Sequence, residues 1–191
     1  MRLDYDKLSD ALKNRTRFTI NIEDRIPSGV TIPLFDRQDE TCILFTLRTQ
    51  KVKHHKGQVS FPGGAAEEED EQIVKTAIRE TNEEVGIPVS AIHPLGIFDE
   101  IVTISGFHVT PVVVRLEWPF TTRICADEID RIMEVPIKEL EKPGMPRTEI
   151  WEWNGGNVDM YFYDFDDYSI WGATGRILYQ FLDVARHCTL K

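Results

Sequence analysis

The stretch RETNEEVGI, residues 79–87, sets three carboxylates, Glu80, Glu83 and Glu84, beside Arg79. On a helix turning about 100° per residue, Glu83 lies about 60° from Glu80 and Glu84 about 40° on its other side, so all three share one face. Gly86 then reads as a stop signal, which puts these acids at the C-terminal end, where the backbone already presents negative charge. Each like-charged i,i+4 pair costs about 0.2–0.5 kcal/mol, and an anion in the last turn a further ~0.3–1 kcal/mol. A divalent cation reverses both signs, and hard ions such as Mg2+ or Mn2+ prefer such oxygen ligands. A solvated charged face is the alternative.

Two neighbouring segments bear on this. Upstream of the acids, SFPGG is a turn signal whose Gly63 and Gly64 would let backbone approach a phosphate or a cation closely. Between the glycines and the helix, Glu67, Glu68, Glu69, Asp70 and Glu71 fall near the expected helix start, where acids are favoured by the dipole, and only Glu71 is kept as a supporting site residue. RTQKVKHHK carries Arg48, Lys51, Lys53 and Lys56 with no acid among them. It reads as an anion clamp or as an exposed lysine-rich loop. His54 and His55 are adjacent and cannot share a strand or helix face, which argues against zinc.

The elements that must position these groups follow from periodicity. Val74, Ala77, Ile78, Thr81 and Val85 make the stripe of the acid-bearing helix, and Leu3, Leu8 and Leu12 that of an N-terminal one. Trp171, Ile177, Leu178, Phe181, Leu182 and Val184 stripe a third, C-terminal helix expected to pack on a sheet. VTIPLF and TCILFTLR around DRQDE predict an antiparallel hairpin, as do EIWEWN and VDMYFYDF around a glycine pair. The region from His93 to Trp118 is strand-rich, so the sheet is mixed or mostly antiparallel. No linker or repeat divides the chain, and one α/β domain over 1–191 is expected.

Composition bounds the function. A formal charge of −10 repels nucleic acid and anionic membrane, so neither is an expected partner. Cys42, Cys125 and Cys188 are too few and too scattered for a disulfide framework or a zinc site. With no apolar run of signal-peptide or transmembrane type, a cytoplasmic location is expected.

RETNEEVGI resembles the second half of the Nudix box, G-x5-E-x7-R-E-U-x-E-E-x-G-U, with U a bulky aliphatic. Arg79, Glu80, Glu83, Glu84, Gly86 and Ile87 match, while Thr81 replaces the aliphatic. Counting back from Arg79 puts Glu71 at the first Glu and Ala65 at the leading Gly, one residue past Gly64. LFTLRTQKVKHHKGQVSFPGG resembles the signature of the coenzyme A pyrophosphatase branch at Thr46, Arg48, Gly57, Phe61, Pro62, Gly63 and Gly64. Thr49 stands there for Ser or Ala, and Lys53 for Arg. VTISGFHVTPVV and IWGATGRIL are similar to further segments of that branch.

The resemblance implies a Nudix fold, a mixed β-sheet core sandwiched between helices (α/β/α), and a metal-dependent hydrolase of a nucleoside diphosphate linked to another group. It implies coenzyme A as substrate, cut to 3′,5′-ADP and 4′-phosphopantetheine, with Mg2+ or Mn2+. Glu80 and Glu84 would be the primary metal ligands, with Glu83 ligating or holding a metal-bound water. The general base is left between Glu83 and an outside carboxylate such as Glu128. Arg79 would turn from the metal toward a loop acid, Glu71, and Arg48, Lys53, Gly63 and Gly64 would bind substrate. Relatives are often homodimers, and the tryptophans of EIWEWN are read as interface or core. The alternatives are another ADP-linked substrate (ADP-ribose, a dinucleotide or a nucleotide sugar) and a non-catalytic nucleotide-sensing module.

Overall fold

The apolar runs TIPLF, CILF and PVVV lack the alternation of a half-exposed strand, which marks strands covered on both faces. In the computed structural model, which describes residues 1–51, 56–153, 155–165 and 167–190, they are the centre of an eight-stranded mixed sheet. The chain opens with α1 (Tyr5–Asn14), then β1 (Ile26–Arg37), β2 (Glu40–Arg48), β3 (Val59–Ser60), β4 (Gly63–Ala65) and α2 (Ile73–Val85). There follow β5 (Ile92–Ile97), β6 (Ile101–Val102), β7 (Phe107–Leu116), β8 (Ile129–Pro136) and α3 (Ile137–Leu140). The last elements are β9 (Arg147–Trp153), β10 (Gly156–Asp164), β11 (Ser169–Ile170) and α4 (Gly172–Ala185).

The main path of the sheet is β3-β2-β1-β7-β5, with β8 on β2, β4 on β1 and β6 on β7. Among the described strands only β1 and β7 run parallel, in register from Ile26↔Phe107 to Leu34↔Arg115. The expected hairpins are present: β1 pairs with β2 through Leu34↔Ile43, and β9 with β10 through Val158↔Trp151. Alternate residues feed two separate cores. Ile32, Leu34, Ile43, Phe45 and Val113 join α1 and α4 on one face, while Phe35, Leu44, Val112 and Val114 join α2 on the other. The α/β/α layering is therefore as expected.

Three expectations change. Leu3 is not part of the α1 stripe: it lies ahead of the helix, in an isolated antiparallel bridge to Thr189. Trp171 is not part of the α4 stripe: it is the extended residue ahead of the helix, with its ring stacked on Phe162. The acids expected near a helix start lie in the loop before it, since α2 begins at Ile73 with no acid in its first turn. In β9, Ile150 and Trp151 are exposed, so this hairpin contributes to the surface more than to the core.

Helix α2 is held on β1 by close backbone approach. A Cβ on Gly29 would fall 2.7 Å from the Ile73 carbonyl oxygen and 2.9 Å from the Ala77 nitrogen, so only glycine lets the helix lie this near. Gly29→Ala is expected to push α2 away and destabilise the chain by about 1–3 kcal/mol, the usual cost of overpacking. Urea denaturation would show this as a lower midpoint, and an unchanged midpoint would contradict the packing.

Candidate active site

Helix α2 ends at Gly86, in the left-handed conformation with φ 78°, whose N–H donates to the Asn82 carbonyl at 2.8 Å. The carbonyls left over at this end are met by the loop after β7. Arg123 N–H donates to Val85 at 2.8 Å and Cys125 N–H to Glu84 at 3.0 Å, which answers the orphan acceptors of a helix C-terminus. The same loop then reaches Glu128. Thr49 at the end of β2 anchors it, donating its backbone N–H to the Glu128 carbonyl at 2.8 Å and its hydroxyl to the Asp127 carbonyl at 3.0 Å.

The three glutamates differ in setting. Glu84 is buried, with a side chain only 5% exposed, and accepts from Arg48 Nη1 at 3.2 Å and from the Gly63 backbone N–H at 3.2 Å. Burial pushes its carboxyl up from an ordinary 4.5 to about 7, with Glu80 and Glu128 adding repulsion and with Arg48 and the Gly63 N–H opposing. Glu80 is also raised, first by burial, with the neighbouring Arg79 opposing. Glu83 is the exposed member. Gly64 lies directly under Glu80, where a Cβ would come within 2.5 Å of the carboxyl carbon.

Arg79 links helix to loop. Its Nη2 donates to Asp70 at 2.9 Å and to the Ala65 carbonyl at 3.2 Å, and its Nη1 donates to Glu80 at 3.0 Å and to Glu83 at 2.9 Å. The guanidinium holds the Asp70 carboxyl down at about 2. The loop partner of Arg79 is thus Asp70, not the expected Glu71, which is exposed and paired with Lys75 one turn on. The signal for this was present: counting G-x5-E forward from Gly64 lands on Asp70, so the extra residue sits after the acid. Nor does Arg79 turn wholly away, since one nitrogen remains on the glutamates.

Arg48 bonds Glu84 and lies 3.5 Å from Glu128, so its guanidinium is given to carboxylates in this arrangement. Glu128, 52% exposed, is thereby drawn to the site from outside the helix. Lys53, with His54 and His55, lies outside the described residues. Sequence reading also missed the capping backbone of Arg123 and Cys125, which no side-chain pattern signals.

The donor chemistry fits a hard divalent cation. Two partly desolvated carboxylates and a third exposed one face a glycine loop, and the helix C-terminus adds negative potential. Arg79 and Arg48 hold one oxygen each of Glu80, Glu83 and Glu84, and among the described residues no three such side chains are grouped closely enough to hold a metal ion.

A NUDIX domain model matches residues 25–155. The chain belongs to the Nudix family. It is 35% identical over 156 residues to the uncharacterized Nudix hydrolase NudL of Yersinia enterocolitica, covering 79% of this chain and 77% of that one. NudL of Yersinia pestis is similar at 35% over 153 residues, covering 79% and 75%. The fold is like that of the Nudix hydrolase RenU of M. smegmatis, with TM-score 0.51 and 17% identity over 63% of this chain and 76% of that one. Nudix enzymes act on small-molecule nucleotides and generally use divalent metal ions. No described helix of this Nudix chain is long and apolar enough to cross a membrane.

Two outcomes follow for the Nudix site. Because the folded pKa of Glu84 is raised, its ionised form opposes folding: in chelator, stability should fall as pH rises from about 4.5 through about 7 and then level off. The change is on the order of 2–3 kcal/mol. Asp70 acts oppositely and only in acid, losing its contribution as pH falls from 3.8 toward about 2. Melting curves of wild type and Glu84→Gln between pH 5 and about 8 should show a clearly steeper slope in wild type, the remainder in the variant coming from Glu80, which is also raised; equal slopes would contradict the assignment. Gly64→Ala should displace the Glu80 carboxylate, the movable end of a side chain, and lower turnover about tenfold or more at nearly unchanged stability. Steady-state rates beside a denaturant curve check this, and a wild-type rate would count against Glu80.

Proposed function

We propose that this chain hydrolyses the pyrophosphate bond of coenzyme A, giving 3′,5′-ADP and 4′-phosphopantetheine. One observation carries the reading: the residues resembling the coenzyme A signature lie on the carboxylates of the Nudix helix. Arg48 and the Gly63 N–H both bond Glu84, and Gly64 lies against Glu80. Substrate selection and chemistry would then share one surface, which is what binding energy needs if it is to act on the reacting phosphorus.

Glu80 and Glu84 would hold the cation, with Glu83 as a further ligand or the holder of a bound water. When bound, Mg2+ or Mn2+ neutralises the pyrophosphate and lowers the pKa of the attacking water. Water adds to phosphorus as the bridging P–O bond breaks, and its proton passes to a carboxylate, Glu83 or Glu128. Arg79, fixed by Asp70, orients Glu80 and Glu83. Gly63 and Gly64 allow phosphate to approach the backbone, and the basic segment with Arg48, Lys51, Lys53 and Lys56 supplies positive charge for the 3′-phosphate. The reading takes residues 1–191 as one Nudix domain acting in the cytoplasm.

Chromatography after incubation with coenzyme A, dephospho-coenzyme A and ADP-ribose, each with Mg2+, Mn2+ or chelator, tests it. Metal-dependent 3′,5′-ADP from coenzyme A is expected, with at least a ~100-fold loss in Glu84→Gln. Turnover of ADP-ribose in preference would replace the substrate, and silence on all three would favour a nucleotide-sensing role.

A further inference from the structure

We infer that Thr31 is a positioning residue for the α2 carboxylates, acting through a buried hydroxyl pair with Thr81. The inference rests on the reading of Glu80 and Glu84 as cation ligands. Thr31 in β1 and Thr81 in α2 are both fully buried, and their hydroxyl oxygens are 2.8 Å apart. The direction of that bond follows from a second one. Thr81 donates its hydroxyl to the Ala77 carbonyl at 2.7 Å, which commits its single proton, so Thr31 is the donor.

Thr31 also donates its backbone N–H to the Pro62 carbonyl at 2.9 Å. One residue therefore holds the helix by its side chain and the glycine loop by its main chain. Helix and loop are the two parts that meet at the carboxylates, through Gly63 on Glu84 and Gly64 beneath Glu80. Thr81 directly follows Glu80 in the chain.

The Thr31–Thr81 bond adds direction at the helix–strand face, beside the hydrogen bonds that hold the C-terminal end of α2. Gly29 gives the helix no side chain to interlock with, and backbone lies on backbone there. Apolar burial does not fix orientation, whereas a hydrogen bond weakens steeply off line. Thr81 occupies the position where the Nudix box has a bulky aliphatic, so a directional bond replaces a steric knob. A small rotation of α2 on β1 would carry both carboxylates off the loop.

Thr31→Val keeps the shape and the strand preference and leaves no buried donor unpaired, because Thr81 still donates to Ala77. Thr81→Val tests the partner. Titration calorimetry of Mn2+ into the metal-free chain, without substrate, should show half-saturation moved up about tenfold or more in both. Turnover with coenzyme A should fall with KM changed less than about threefold. Thr31→Ser and Thr81→Ser, which keep the hydroxyl, should return both quantities to wild type. A folded Thr31→Val with wild-type Mn2+ affinity and kcat would overturn the inference. Glu84→Gln separates the two levels: if it binds Mn2+ as wild type does, the ligand reading fails, and if it alone loses Mn2+, only the positioning role fails.

Discussion

The buried carboxylate of Glu84 is the interaction on which the site depends. It sits in the last turn of α2, at the negative end of the helix, with Glu80 one turn before it and Glu128 nearby. Desolvation, dipole and like charge all oppose its ionisation, and none of these can be relieved by the helix alone. The surroundings are arranged against that cost. Arg48 and the Gly63 N–H bond its two oxygens, and the loop N–H groups of Arg123 and Cys125 occupy the exposed carbonyls of the helix end. What remains uncompensated is a demand for positive charge, which is the demand a divalent cation meets.

The two arginines divide the work by position. Arg48, on β2, reaches across to Glu84 and lies near Glu128, so the strand, the helix and the loop after β7 are tied through one guanidinium. Arg79 lies on α2 and points the other way along the loop, where Asp70 holds it by two nitrogens. A planar fork with several donors can serve two carboxylates at once, which a lysine could not do with the same geometry.

The architecture serves this small region. A sheet buried on both faces gives β1 a rigid bed, and the parallel β1–β7 pair places that bed at its centre. Gly29 lets α2 lie against it, while β4 pairs with the same strand at Ser28, Gly29 and Val30. Helix α2 and the glycine loop are therefore set by adjacent residues of one strand, so an error in one is shared by the other.

Much of this was legible in the sequence, and the reason differs by feature. Local periodicity determined α1, α2 and α4, the glycine stop, the two hairpins and the shared face of Glu80, Glu83 and Glu84, because each depends on residues within a few turns of one another. The family box, read as a pattern of spacing, carried the Nudix membership. Tertiary structure decided what spacing could not. It chose Asp70 over Glu71 for Arg79, since a loop's path and not its count of residues sets which acid meets the guanidinium. It moved Trp171 out of the α4 stripe and onto Phe162, brought Glu128 to the site through Arg48 and Thr49, and paired Thr31 with Thr81 across 50 positions of chain. The sequence by itself determined which chemistry was available, and only the fold decided which oxygens are buried, because desolvation depends on neighbours distant in the chain.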